Sequence, residues 1–334
     1  MRFSHKQKGV ALITALLIVS LATILAVSLI DHLHFDTRRT ENILRLDQAL
    51  IYNSNTVDLT RKLLFEDGIA NNHDTLVEAD IFNTQFQSFP VDGGMVSARI
   101  SDLQACFNLN SLSPTNQNSQ AAIARYRSLL GAIFNNATAN AGSSSITPPI
   151  NTEILTDSLI DWLDPDSESR GANGAELDYY LGLESPYKSA NGLLTSSSEL
   201  SLIRGYTPEA IEQLRDFVCV LPDSNTAINI NTASSEVLES LGIPRNNVTT
   251  LIEYRQANTD LENAAFATIA DFERYVTGTL EVSPFSSTGM RVDSEYFLLR
   301  TRIQLGTGDV KVFTIIQRHD DNTTSILRQT RGDL

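Results

Sequence analysis

The 334-residue chain has only two cysteines, Cys106 and Cys219, so neither a disulfide-dense scaffold nor a cysteine-rich zinc site can be built from it. Its histidines are His5, His32, His34, His73 and His319, and no pair has metal-ligand spacing. A phosphate loop, a nucleophile elbow and a dinucleotide fingerprint are also missing, which leaves little for an enzyme to work with. Basic residues are scarce: the formal charge is −15, a balance that repels nucleic acid and attracts cations. Glycine and proline are absent from residue 10 to residue 67, so nothing in that stretch breaks a helix.

What fills that stretch is apolar, then amphipathic. Val10 to Ile30 carries no charge over 21 residues, roughly 32 Å of helix and enough to cross a bilayer core. Arg2, Lys6 and Lys8 precede it and Asp31 follows, so the positive-inside rule places residues 1–9 in the cytoplasm and everything after Asp31 on the far side. A cleaved secretory signal would have a shorter apolar region and a small-residue cleavage site. Beyond the membrane segment, Ile43, Leu46, Leu50, Val57 and Leu64 recur at spacings of three, four and seven, which predicts one helix from about Val10 to Phe65.

The C-terminal texture differs. Glu295 to Leu305, Val310 to Arg318 and Thr323 to Gln329 read as three strands divided by turns at Gly306-Thr307-Gly308-Asp309 and His319-Asp320-Asp321-Asn322. With Met95 to Leu103 they predict a sheet against the exported half of the first helix. The fold class is therefore α+β: a long N-terminal transmembrane helix packed on an antiparallel sheet, with a large inserted helical domain. Residues 31–111 and 285–334 form the body, and 112–284 the insertion, in which Ala137 to Ile150 reads as a loop rich in Ser, Asn, Thr and Pro.

Lys8-Gly9-Val10-Ala11-Leu12-Ile13 resembles the prepilin-peptidase site of pilins, a short basic leader ending in glycine before an apolar helix. Leu159 to Asp166, Glu176 to Tyr180 and Ser198 to Gly205 are similar, in order and spacing, to stretches of general secretion pathway protein K, a minor pseudopilin of type II secretion systems. That resemblance covers most of the chain. It implies a pilin-like fold, cleavage between Gly9 and Val10, N-methylation of the new terminus, and a non-enzymatic role in the pseudopilus. Implied partners are the prepilin peptidase, the inner membrane, and the I-type, J-type and H-type minor pseudopilins. The C-terminal part is then periplasmic in a Gram-negative cell. Two positions depart from the wider pilin pattern: Val10 replaces phenylalanine, and Thr14 stands where most pilins carry glutamate, a departure shared by the K subunit. Thr14 is thus a marker of position at the filament tip.

Asp161, Asp164, Asp166, Glu168, Glu176 and Asp178 form an acidic cluster with Gly171 and Gly174 between them. From the residues alone, a solvated loop and a cation site fit equally, and the resemblance implies structural calcium. A disulfide between Cys106 and Cys219 is predicted from an internal echo. Cys106-Phe107-Asn108-Leu109-Asn110 resembles Ala227-Ile228-Asn229-Ile230-Asn231, both cysteines precede these segments, and the periplasm is oxidising. Residues 228–276 also look like a helix-hairpin-helix unit. Such units grip phosphate backbones, which opens the alternative of a minor type IV pilin or competence-type protein that binds DNA. Glu236, Glu239 and Glu253 oppose that reading, and no nucleic-acid partner is expected. A membrane-tethered hydrolase using the acidic cluster is a third reading, for which no nucleophile or general base stands out.

Overall fold

The computed structural model describes residues 10–70, 73–75, 87–140, 150–257 and 266–332. The predicted leader, with Gly9, and residues 141–149 of the predicted loop lie outside the described residues.

Helix α1 runs unbroken over Val10–Ala70, 61 residues and one turn beyond the predicted end. Gly68 does not stop it: the helix is held there by tertiary contact, with Asp67 accepting from Arg318 at 3.0 Å and Asn322 lying close against Gly68. Its first part is bare apolar surface, with Leu12, Ile13, Leu16, Leu17 and Ile18 all exposed. The hydroxyls in this part bond back to their own helix, Ser20 to Leu17 O at 2.9 Å and Thr23 to Val19 O at 2.8 Å, which satisfies them without water.

The second part of α1 lies on a five-stranded antiparallel sheet of order β1-β2-β7-β8-β9. Its strands are β1 (Gln87–Val91), β2 (Gly94–Asp102), β7 (Tyr296–Leu305), β8 (Gly308–Arg318) and β9 (Thr324–Arg331). Val57 and Leu64 bury against Ile100, Phe297, Leu299 and Ile316 at one end of the sheet. Ala49 packs with Val96, Ile303, Leu305 and Val312 at the other. Leu46 and Leu50 are half-buried, whereas Ile43, predicted on the same stripe, is exposed and lies beyond the end of the sheet contact. The alternation that predicted β2, β7 and β8 is the pleat itself, with one face on α1. β1 escaped the sequence reading because it is an edge strand whose burial pattern shows no buried face.

Between β2 and β7 the chain makes the insertion. It is not wholly helical: two short parallel strand pairs sit at its base, β3 (Phe107–Asn108) with β4 (Val218–Cys219), and β5 (Ile228–Asn229) with β6 (Met290–Arg291). The first pair encloses α2 (Ser119–Asn140), α3 (Thr152–Leu163), α4 (Leu177–Leu181) and α5 (Pro208–Leu214). The second encloses α6 (Ser235–Ser240), α7 (Arg245–Ala257) and α8 (Ile269–Arg274). α2 reaches Asn140, four residues into the stretch predicted as loop. One continuous core joins the two units, from Phe107 and Tyr126 through Trp162 and Tyr180 to Leu251 and Phe272.

The repeated Asn-x-Asn segment explains the duplication. Asn110 donates to Leu194 O at 3.0 Å and Leu221 O at 2.8 Å and accepts from Leu194 N at 2.8 Å. Asn231 does the same with Phe266 O at 3.0 Å, Val292 O at 3.2 Å and Phe266 N at 3.1 Å. Leu194 and Phe266 each lie two residues before a helix N-cap, Ser196 and Thr268. In both units one buried amide therefore ties the residues just after the entry strand to the segment leading into a helix N-cap and to the residues just after the exit strand. Such a group is costly to lose because its partners stay buried.

Candidate functional site

The acidic cluster is built at the far end of α3. Asn151 caps the start of this helix by accepting from Glu153 N and Ile154 N, and Leu155, Leu159 and Trp162 bury one face. The helix stops at Asp164, whose successor Pro165 cannot continue it. The following loop folds back through Gly171, in left-handed conformation at φ +64°, and through Gly174, where a Cβ would collide with Asp161 and the Arg170 backbone. Arg204 anchors the return by donating to Gly174 O at 2.8 Å and stacking over the Tyr179 ring at 5.0 Å. Glu176 then opens α4 as its N-cap residue, yet its side chain makes no capping bond.

Three of the six predicted carboxylates converge. Asp164, Asp166 and Glu176 each offer an oxygen within 4.8 Å of the others. Calcium–oxygen bonds of roughly 2.3–2.6 Å would allow such spacing around one ion. Asp164 and Glu176 are buried while Asp166 is exposed. Asp161, on α3, is fully buried and engaged elsewhere, accepting from Arg170 N at 3.2 and 3.1 Å. Glu168 and Asp178 are exposed and stand outside the convergent group; the Glu168 backbone N–H donates to Asp166 Oδ1 at 2.8 Å.

Electrostatically the group is uncomfortable as a bare cluster. Burial, then Asp166 and Asp161, push the Asp164 carboxyl up to about 6. Burial, then Asp161 and Asp164, push Glu176 up to about 7. Asp164 Oδ1 and both oxygens of Glu176 are buried without a hydrogen-bond donor. Buried carboxylate oxygens normally have partners, so orphaned oxygens within a convergent carboxylate group fit a cation. Asn191, which no sequence motif marked, belongs to the same corner: it donates to Asp166 O at 2.6 Å and its own Oδ1 is also an orphan. The donor set is all oxygen, which suits a hard cation.

A second polar centre, which the sequence reading missed entirely, locks the insertion to the body. Arg318 on β8 donates to Asp67 at 3.0 Å, Asp74 at 2.5 Å and Ser294 O at 2.8 Å. Ser294 in turn donates to Asp102 at 2.7 Å, and Asp102 also accepts from Asn229 at 3.1 Å and Thr232 at 2.5 Å. Burial raises the Asp102 and Asp74 carboxyls, and Arg318 opposes this at Asp74. Gln104 N also donates to Asp102 at 2.7 Å, and these four donors, with the guanidinium beside Asp74, make this a structural network.

Cys106 and Cys219 form a disulfide across the β3–β4 pair, as expected from the echo. In the helix-hairpin-helix-like unit, α6 and α7 are joined through Gly242 at φ +91°. Its Arg255 turns inward and donates to Ile230 O at 2.8 Å and Ala233 O at 2.9 Å, so this cation braces the fold. Thr14 sits on the apolar part of α1, and Val10 is its first residue.

Comparison with known proteins gives a consistent picture. The family model "Type II secretion system (T2SS), protein K" matches residues 105–223. Type II secretion system protein K of Aeromonas hydrophila is 28% identical over 337 residues, covering 98% of each chain. The Dickeya chrysanthemi protein of the same description is 31% identical over 258 residues, covering 69% of this chain and 70% of that one. Among solved structures, a chain of the GspK-GspI-GspJ complex from enterotoxigenic Escherichia coli superposes with a TM-score of 0.73 at 24% identity. It covers 89% of this chain and 100% of that one, a likeness of fold.

Proposed function

This chain belongs to the type II secretion system protein K family, and from that premise we propose that it caps the periplasmic pseudopilus and helps to initiate its assembly. The observation that carries the proposal is α1. It is one unbroken helix whose exposed apolar surface does not end with the membrane segment. Leu44, Ile51, Leu59, Phe65 and Ile69 continue it on the side away from the sheet. On a soluble surface such a stripe is a liability, and against the helices of sister subunits it is an assembly face. The solved relative is found with GspI and GspJ, and we extend that partnership to this chain as binding of I-type and J-type minor pseudopilins, with an H-type subunit beneath.

In this reading the inner membrane holds residues 10–30, the prepilin peptidase cuts between Gly9 and Val10, and the new terminus is methylated. The body and insertion then lie in the periplasm. A glutamate at the fifth mature position would neutralise the terminal amine of a subunit above, and an unpaired one in the bilayer would only add a desolvation cost. Thr14 cannot neutralise an amine, which suits a subunit with none above it. The insertion points the same way. Lying between β2 and β7, it is a domain-sized bulk that a wound shaft would not accommodate and an apex would. Calcium at Asp164, Asp166 and Glu176 has a structural role here, neutralising a carboxylate group for which the loop between α3 and α4 offers one cation, Arg170.

Gold-labelling of the insertion on overexpressed pseudopili tests the position. Label confined to one end is expected, and label spread along the shaft refutes the tip assignment.

A further inference from the structure

The face of the sheet turned away from α1 carries an arrangement that the tip function does not use. Val96, Ile100, Leu299, Ile303, Val312 and Ile316 face the helix, so the alternate residues of β2, β7 and β8 face outward. There Arg99 of β2 stands directly opposite Arg300 of β7, and Arg302 stands opposite Lys311 in the neighbouring row. Like charges across a strand pair repel, and such pairs are normally relieved by an acid. Arg302 has one, a two-pronged contact with Asp309 at 2.7 to 3.1 Å. Among the described residues Arg300 donates to a hydroxyl, Ser101 Oγ at 3.0 Å, and to no carboxylate, and burial followed by the adjacent Arg99 lowers its basicity. The carboxylate that acts on Arg300 is Asp216, itself 85% exposed and beside Arg215 at 4.0 Å. Arg99 has neither a hydrogen bond nor an ion pair among the described residues, and its Nε is buried.

A half-buried guanidinium without a counter-ion, set against a second guanidinium, is an unexpected expense in a chain of net charge −15. We propose that the Arg99–Arg300 pair is a docking site for an acidic segment of a partner protein, whose carboxylates supply the counter-charge this face lacks. The chemistry fits a carboxylate. Paired forks rooted on adjacent strands can clasp one carboxylate between them or two on alternate residues of an extended segment. Phe313, opposite Arg300 on β8, and the hydroxyls of Ser97 and Ser101 offer an apolar floor and polar flanks. Lipid phosphate is the poorer occupant. Ile100 packs on Val57 and Val96 packs with Ala49, which places the pair roughly 30–40 Å along α1 from Ile30, several Debye lengths from the membrane.

The test uses the full-length chain in neutral detergent and a fluorescein-labelled octaglutamate peptide as probe, with octalysine as control and fluorescence anisotropy as readout. Octaglutamate is expected to bind in spite of the chain's net negative charge, to weaken as salt rises from 100 to 300 mM, and to lose at least tenfold in affinity in R99Q/R300Q. The double variant is expected to melt no lower than the wild type, because it removes a repulsion. R99Q alone is expected to lose at least threefold in affinity, and covers the case in which the double variant does not fold; unchanged binding by a folded R99Q overturns the proposal as well. Equal octaglutamate binding by R99Q/R300Q overturns the proposal. So does complete competition by 1 mM inorganic phosphate, which would mark a small-anion site, or Arg99-dependent binding to phosphatidylglycerol nanodiscs without octaglutamate binding.

Discussion

Replacing Glu176 by glutamine should change the sign of its effect on stability when calcium is added. Without the ion, Asp164 and Glu176 have carboxyls pushed up to about 6 and about 7. In the unfolded chain both return to roughly 4. Between about pH 4 and pH 7 the folded chain therefore holds more protons than the unfolded one, and stability without calcium falls as pH rises through that window. Calcium needs the ionised carboxylates, so binding expels those protons. With the two protonations taken as independent, affinity should be roughly 20-fold weaker at pH 6 than at pH 8, and roughly a thousandfold weaker at pH 5. Titration calorimetry in buffers of different ionisation enthalpy reads both quantities, and at pH 6 it should register between one and two protons released. Glu176→Gln removes one ligand and one repelling charge. At pH 8 it should raise the melting temperature in chelator and lower it in millimolar calcium, with affinity at least tenfold weaker. A dissociation constant independent of pH, no proton release, or a melting temperature indifferent to chelator would refute the reasoning.

The Cys106–Cys219 bridge closes a loop of 113 residues, for which chain entropy allows about 4–5 kcal/mol. The double serine variant should unfold at correspondingly lower denaturant, and two free thiols in unreduced, denatured wild type would reject the bond. Asn231→Ala leaves Phe266 N and Phe266 O buried without their side-chain partner, and Val292 O with Asp74 N alone, and should cost about 2–3 kcal/mol by denaturant unfolding, whereas exposed Asn246 should tolerate alanine within about 0.5 kcal/mol. Gly9→Leu should leave residues 1–9 attached, which intact-mass measurement detects; a wild-type chain starting anywhere but Val10 counts against the processing site.

The local patterns in the sequence were sufficient for α1, for the outlines of β2, β7, β8 and β9, and for placing the insertion between them. An apolar run without glycine or proline has one stable form, and alternation over eight or more residues allows one pleated register. The pairing of Cys106 with Cys219 was legible too, because the repeated Asn-x-Asn segment marks two equivalent strand entries. Tertiary structure decided the rest. β1 pairs at an edge without a buried face, and the two-residue strands β3 to β6 are too short to have a period. Six carboxylates between Asp161 and Asp178 look alike in sequence, yet the end of α3 and the start of α4 bring three of them together and turn Asp161 toward the Arg170 backbone. Asn191, at that corner, and the Asp74–Arg318–Ser294–Asp102 network join residues separated by up to 244 positions. Periodicity is a property of neighbours along the chain, whereas the burial that leaves a carboxylate or an arginine without a partner depends on what the rest of the chain folds against it.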